Sequence, residues 1–175
     1  SERKAAQERI EYLARHDALT GLPNRVLLAD RVEQALAHAD RNQRKLALLF
    51  LDLDRFKTIN DSLGHPVGDA LLREFTRRLL LTVRESDTVC RLGGDEFVVL
   101  VSDLQDDDTA GTVAQKLLEV TLTPFEIEGH TLSVSVSIGV ALYPTDGDSF
   151  DTLLKKADTA MYHAKDAGRN TYRFF

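Results

Sequence analysis

A chain of 175 residues, 43% of them hydrophobic, can bury one sizeable core, so a single domain with a short leader is expected. The formal net charge of −6, with no long cluster of lysine and arginine, argues against a nucleic-acid partner. The single cysteine, Cys90, excludes an internal disulfide and a cysteine-built metal site, and the longest apolar run, residues 46–51, is too short to span a bilayer.

The first residues carry charge rather than the pattern of a signal peptide, so a cytoplasmic location is expected, with any membrane anchor left to a parent protein. Residues 2–15 are rich in helix formers, with Ile10, Leu13 and Ala14 as a sparse apolar face. Such a helix has little to bury by itself, and it reads as a connector from an upstream sensory or dimerising region or as a simple solvated helix. The domain boundary is set accordingly, with residues 1–16 as leader and 17–175 as the domain.

Gly21 and Pro23 break that helix, and a second helix is expected over residues 25–41, with Val26, Leu27, Leu28, Val32, Leu36 and Ala39 towards the core. Residues 45–53 are apolar without alternation, the mark of a strand covered on both faces and therefore central. The strand ends in Asp52-Leu53-Asp54-Arg55-Phe56-Lys57, where apolar residues abruptly meet acids and bases. Ligands of open α/β sheets collect at strand ends, which makes Asp52 a candidate metal ligand, although a lone aspartate there also reads as a cap or surface ion pair. Period two puts Asp52 and Asp54 on one side.

Residues 58–69 are polar and punctuated by glycine and proline, which predicts a connection into a helix over residues 67–83, with Leu71, Leu72, Phe75, Leu79 and Leu80 buried. Asn60 offers donors and an acceptor, and Asp69 an acceptor pair suited to the N1–H and exocyclic amine of guanine; read alone, they are a turn former and a first-turn carboxylate. Arg84 and Asp87, three apart on a corner, can grip a guanine edge or form a surface salt bridge.

Strands are expected over residues 87–92 and 97–101, joined by a tight hairpin at Gly93-Gly94. Asp95 and Glu96 then share the mouth of a turn. Paired carboxylates repel each other, and a cation between them relieves the repulsion; a solvated acidic turn is the plainer reading. Beyond lie a helix over 109–121 preceded by Asp106-Asp107-Asp108, strands over 125–128 and 131–142, a helix over 150–166 and a last strand over 170–175. Met161 and Tyr162 are expected in the core, and the 150–166 helix carries Lys165, with Arg169 in the loop beyond.

Taken together, these pieces resemble the GGDEF-type diguanylate cyclases over nearly the whole chain. The likeness rests on several motifs in order: Asp17-Ala18-Leu19-Thr20-Gly21-Leu22-Pro23-Asn24-Arg25, the Asp52 to Lys57 strand end, Asn60-Asp61, Gly64-His65 to Gly68-Asp69, the signature Gly93-Gly94-Asp95-Glu96-Phe97, and Ala164-Lys165 to Gly168-Arg169-Asn170. The resemblance implies an α+β, palm-like fold of the ferredoxin-like, nucleotide-cyclase and polymerase-palm type, with a mainly antiparallel sheet flanked by helices. It implies two Mg²⁺ (or Mn²⁺) per GTP, held by Asp52, the Leu53 carbonyl, Asp95 and Glu96. Glu96 would also serve in proton removal, and Lys57 would act at the catalytic centre.

By the same resemblance Asn60 and Asp69 read guanine, while Lys57, Lys165, Arg169 and the amides of Arg55 and Phe56 meet the triphosphate beside Gly94. The reaction implied joins two GTP into cyclic di-GMP with loss of two pyrophosphates across a homodimer, with product inhibition at Arg84 and Asp87. An upstream sensory domain and a downstream phosphodiesterase-type domain are expected in a parent protein. The rival readings are a catalytically silent module that binds GTP or cyclic di-GMP, and a polymerase-like palm, against which the acidic composition argues.

Overall fold

The computed structural model describes residues 1–175. The helices are α1 (Glu2–Leu13), α2 (Arg25–Asn42), α3 (Phe56–Leu63), α4 (His65–Thr82), α5 (Asp107–Glu119) and α6 (Phe150–Asp166). The strands are β1 (Lys45–Leu53), β2 (Thr88–Gly93), β3 (Glu96–Leu104), β4 (Phe125–Ile127), β5 (His130–Leu132), β6 (Val136–Tyr143) and β7 (Tyr172–Phe174).

Five strands form the main sheet in the order β2-β3-β1-β6-β7, antiparallel throughout except for the parallel β6–β7 pair. β1 is the middle strand, as its unbroken apolar run predicts, and its side chains alternate between two cores. Ala47, Leu49, Leu51 and Leu53 meet α4 and α5 residues such as Leu71, Phe75 and Ala114. Leu46, Leu48 and Phe50 meet α2 and α6 through Leu28, Val32, Leu153 and Met161. This parity assigns Asp52 to the α6 side of the sheet before any contact is considered.

Gly139 brings α6 onto the sheet at close range. A Cβ there would lie 2.0 Å from the Ala157 carbonyl oxygen and 2.2 Å from the Met161 nitrogen, so no other residue fits. α6 starts with Ser149 capping the Thr152 amide, and α5 with Asp106 capping that of Thr109. The acidic run at 106–108 thus opens a helix as expected, with Asp107 and Asp108 in its first turn.

Several expectations are corrected. The polar stretch after β1 is not a plain connection: α3 occupies Phe56–Leu63, with Phe56 its one buried residue, and α4 begins at His65, two residues earlier than predicted. The strand expected over 131–142 is divided, β5 pairing with β4 in a separate two-stranded sheet and β6 joining the main one. Its expected length came from period-two alternation, which a bend between sheets does not interrupt. Val26, Leu80 and Tyr162 are exposed at 59%, 51% and 60% rather than packed in the core, whereas Met161 and Cys90 are buried. α1 buries none of its residues.

Candidate active site

The register of β1 sets Asp52 opposite Glu96, and the Leu53 amide donates to the Asp95 carbonyl oxygen at 3.4 Å. The end of the central strand therefore lies against the signature turn. Gly93 pairs with Glu96, leaving Gly94 and Asp95 as the turn residues. Gly93 and Gly94 have φ of +151° and +50°, which side chains rarely adopt, so the glycine pair is required by the turn. Asp95 thus sits in the turn itself, one step beyond the mouth expected from sequence.

Asp52 is nearly buried, with 8% exposure, and one of its oxygens accepts from Lys165 Nζ at 2.7 Å. Its other oxygen, Oδ1, is buried with no hydrogen-bond partner. Burial, followed by the adjoining Asp52 carboxylate, pushes the Asp95 carboxyl up to about 7. Glu96 is also raised, by burial and then by repulsion from Asp52 and Asp158, and its residue stays exposed. Burial opposes the charge of Lys165, but the bond to Asp52 outweighs it and raises the ammonium. The cluster is short of positive charge, and Lys165 alone answers Asp52.

No three acidic or imidazole side chains are gathered at metal-binding distance; Asp52 holds the ammonium instead. The donor set nevertheless fits a hard divalent cation: an orphaned buried carboxylate oxygen, a neighbouring carboxyl that resists ionisation, and oxygen ligands throughout.

On the other flank of Asp52, α3 is preceded by Arg55 at its N-cap, whose φ is +62° and whose side chain makes no capping bond, so the first amides of the helix lack intrahelical partners. Lys57 lies exposed in that first turn, and Arg55 is exposed beside it. α3 and α4 meet at Gly64, which brings half-buried Asn60 towards Gly68 and half-buried Asp69. A Cβ on Gly68 would fall 1.8 Å from Asn60 Oδ1, and that oxygen is buried without a partner. The amide of Asn60 is thus seated on the bare Cα of Gly68. Arg169 is exposed, in a left-handed turn just past α6.

The chain matches the family described as diguanylate cyclase, GGDEF domain, over residues 14–171. It belongs to the GGDEF family. It is 52% identical over 170 residues to the bifunctional diguanylate cyclase/cyclic di-GMP phosphodiesterase MucR of Pseudomonas aeruginosa, covering 97% of this chain and 25% of MucR. The structure of a delta-N mutant of TpbB from P. aeruginosa comprising only the GGDEF domain superposes with a TM-score of 0.89 at 44% identity, covering 91% of this chain and 93% of that one. The coiled coil and GGDEF domain of DgcB from Caulobacter crescentus, in complex with c-di-GMP, superposes with a TM-score of 0.86 at 26% identity, covering 99% of this chain and 92% of that one. This GGDEF domain spans about a quarter of the length of MucR and of the other curated relatives it matches first.

Three residues of the GGDEF domain escaped sequence reasoning. Asp158 of α6 faces the site; burial, then repulsion from Asp52, raises its carboxyl. It precedes Lys165 by seven positions, two helical turns, which was the available signal. Arg91 clasps the turn, donating through Nε and Nη2 to the Gly94 carbonyl at 3.0 and 2.8 Å, and its Nη1 holds both oxygens of Asp17 at 3.0 and 3.1 Å. Burial works against the Asp17 charge, but the Thr20 and Arg91 bonds prevail and lower its carboxyl. Arg31 of α2 lines a cavity of about 490 Å³ with Gln34, His38, Asp87 and Ser102. Arg84 is joined to that Asp87 at 2.8 Å and also donates to the Ser102 carbonyl. No spacing in the sequence links Arg31 to Asp87, because α2 and the loop before β2 meet only in the fold.

Proposed function

We propose that this GGDEF domain is a diguanylate cyclase that condenses two GTP into cyclic di-GMP and two pyrophosphates across a homodimer of facing half-sites. The observation that carries the reading is the meeting of Asp52 with Asp95 and Glu96 at the end of β1, in a chain of this family. Asp52, the Leu53 carbonyl, Asp95 and Glu96 would hold two Mg²⁺ or Mn²⁺. When bound, these ions supply Lewis acidity at the attacking 3′-hydroxyl and at the departing pyrophosphate.

The chain's own groups do the rest. The amide of Asn60, resting on Gly68, and the carboxylate of Asp69 present the donor and acceptors that a guanine edge requires. Lys57, Lys165, Arg169 and the free amides at the start of α3 meet the triphosphate beside the Gly94 turn. Glu96, raised and exposed at the mouth, is suited to receive a proton from the 3′-hydroxyl. Each domain carries one nucleotide, so rate depends on how the two half-sites face.

Arg84 and Asp87 are read as the inhibitory site for the product, with Arg31, which lines the same cavity as Asp87, as its second arginine. Their mutual ion pair means that a guanine must exchange for a satisfied contact. Arg84→Ala is expected to abolish product inhibition and keep activity; retained inhibition would remove this assignment.

The test of the reaction is incubation of the purified domain at high concentration with GTP and Mg²⁺, following cyclic di-GMP by chromatography, with Asp95→Ala as control. Product from the parent chain alone supports the cyclase. Silence after forced dimerisation through α1, with GTP still bound, points instead to a binding module that regulates a neighbour.

A further inference from the structure

Both carboxylate oxygens of Asp54 are engaged by donors of the chain itself. The residue is 4% exposed, and its carboxylate accepts from Ser135 Oγ at 2.6 Å, Ser137 Oγ at 2.7 Å and the Asn170 amide at 3.2 Å. Its own amide donates to the Ser135 carbonyl at 2.9 Å. The first two bonds tie it to the start of β6; the third reaches the turn after α6.

That turn needs holding. Gly168, Arg169 and Asn170 have φ of +109°, +64° and +49°, and the left-handed region is unfavourable for the last two. The Gly168 and Arg169 amides donate back into α6, to Lys165 and Ala164, and the Thr171 carbonyl accepts from Ile138 as β7 begins. Between these anchors the Asn170 amide has no backbone acceptor, and Asp54 supplies one. Arg169 is the residue immediately before that bond, and Lys165 leaves the same helix end.

We propose that Asp54 is a positioning residue for Arg169: by fixing the left-handed turn at Asn170, its buried carboxylate aims that guanidinium at the triphosphate. The inference rests on the reading of Arg169 as a phosphate contact. Asp54 therefore acts through Arg169 and does not touch the reacting atoms. A carboxylate suits the place because it accepts every bond offered, whereas an asparagine of the same size must turn a donor towards a serine hydroxyl or the Asn170 amide.

The test combines Asp54→Asn, Arg169→Ala and the double variant in the full chain. Replacing the charged acceptor of the Asn170 amide by a neutral one weakens that bond, which predicts that Asp54→Asn raises the KM for GTP about tenfold and changes kcat by less than about twofold. The double variant should have the KM of Arg169→Ala alone, since both act through one side chain. Multiplied effects, or a fall in kcat at constant KM, overturn the proposal. Hydrogen exchange supplies a readout that needs no activity: Asp54→Asn should speed exchange across residues 168–171 and leave β1 and β3 protected. Unchanged exchange there is likewise fatal to it. Should the variant fail to fold, the parent chain decides, because its Asn170 amide must exchange slowly; open-amide exchange overturns the idea. A parent chain that makes no cyclic di-GMP counts against the cyclase reading, and exchange at Asn170 then judges Asp54 separately.

Discussion

At Asp95 the site is held in a charge state that costs stability without a counter-ion. Its carboxyl, at about 7 against an ordinary 3.8, keeps its proton in the folded chain where the unfolded chain has lost it. Between these values the folded state binds more protons, so this group makes stability fall as pH rises from about 4 to about 7 and level off above. Asp95→Asn should accordingly raise the stability of the metal-free domain at pH 8 by about 0.5–2 kcal/mol while lowering kcat at least about a hundredfold. Urea unfolding at pH 5 and pH 8 beside a steady-state assay checks both, and the stabilisation should be smaller at pH 5 than at pH 8. With Asp95 as a ligand, as proposed, Mg²⁺ would compete with that proton, so its affinity should climb as pH rises through 7. Calorimetry in buffers of different ionisation enthalpy should show proton release on Mg²⁺ binding near pH 6.5, and less in Asp95→Asn.

Elements, more than single residues, place the recognition groups. α3 has one buried residue, Phe56, and stays helical by packing on α4 with Asn60 seated over Gly68. Gly68→Ala would push the Asn60 amide aside, and the loss of one base contact predicts a rise of about tenfold in the KM for GTP. Competition between GTP and ITP, which lacks the exocyclic amine proposed to meet Asp69 but keeps the edge proposed to meet Asn60, should leave their ratio little changed. α6 depends likewise on Gly139, where an added methyl group meets helix backbone. Gly139→Ala should destabilise the fold by about 1–3 kcal/mol, read by thermal or urea unfolding, and lift Lys165 from Asp52.

For the whole molecule, α1 stands apart: none of its residues is buried, although Tyr12 stacks on His16 at 3.9 Å and donates to the Gly21 carbonyl. Removing residues 2–11, which leaves that contact in place, should change unfolding free energy by less than about 0.5 kcal/mol. If α1 sets how two half-sites face, inserting residues into it should still alter activity per dimer, measured at matched dimer concentration. Unchanged activity would detach the helix from control of the reaction.

The sequence determined by itself the central strand, the amphipathic helices, the glycine turn and the acids at the strand end, because periodicity and local backbone demands are written in neighbouring residues. It also carried the motifs that lead to the family. It did not determine α3, whose single buried side chain gives no period, or the break between β5 and β6, where alternation runs on through a change of sheet. Only the tertiary structure set Asp52 opposite Glu96, joined Arg91 to Asp17 across 74 positions, and brought Asp54 to Asn170 across 116. Such pairings follow from strand order and helix packing, which are properties of the whole core, and no local pattern encodes them.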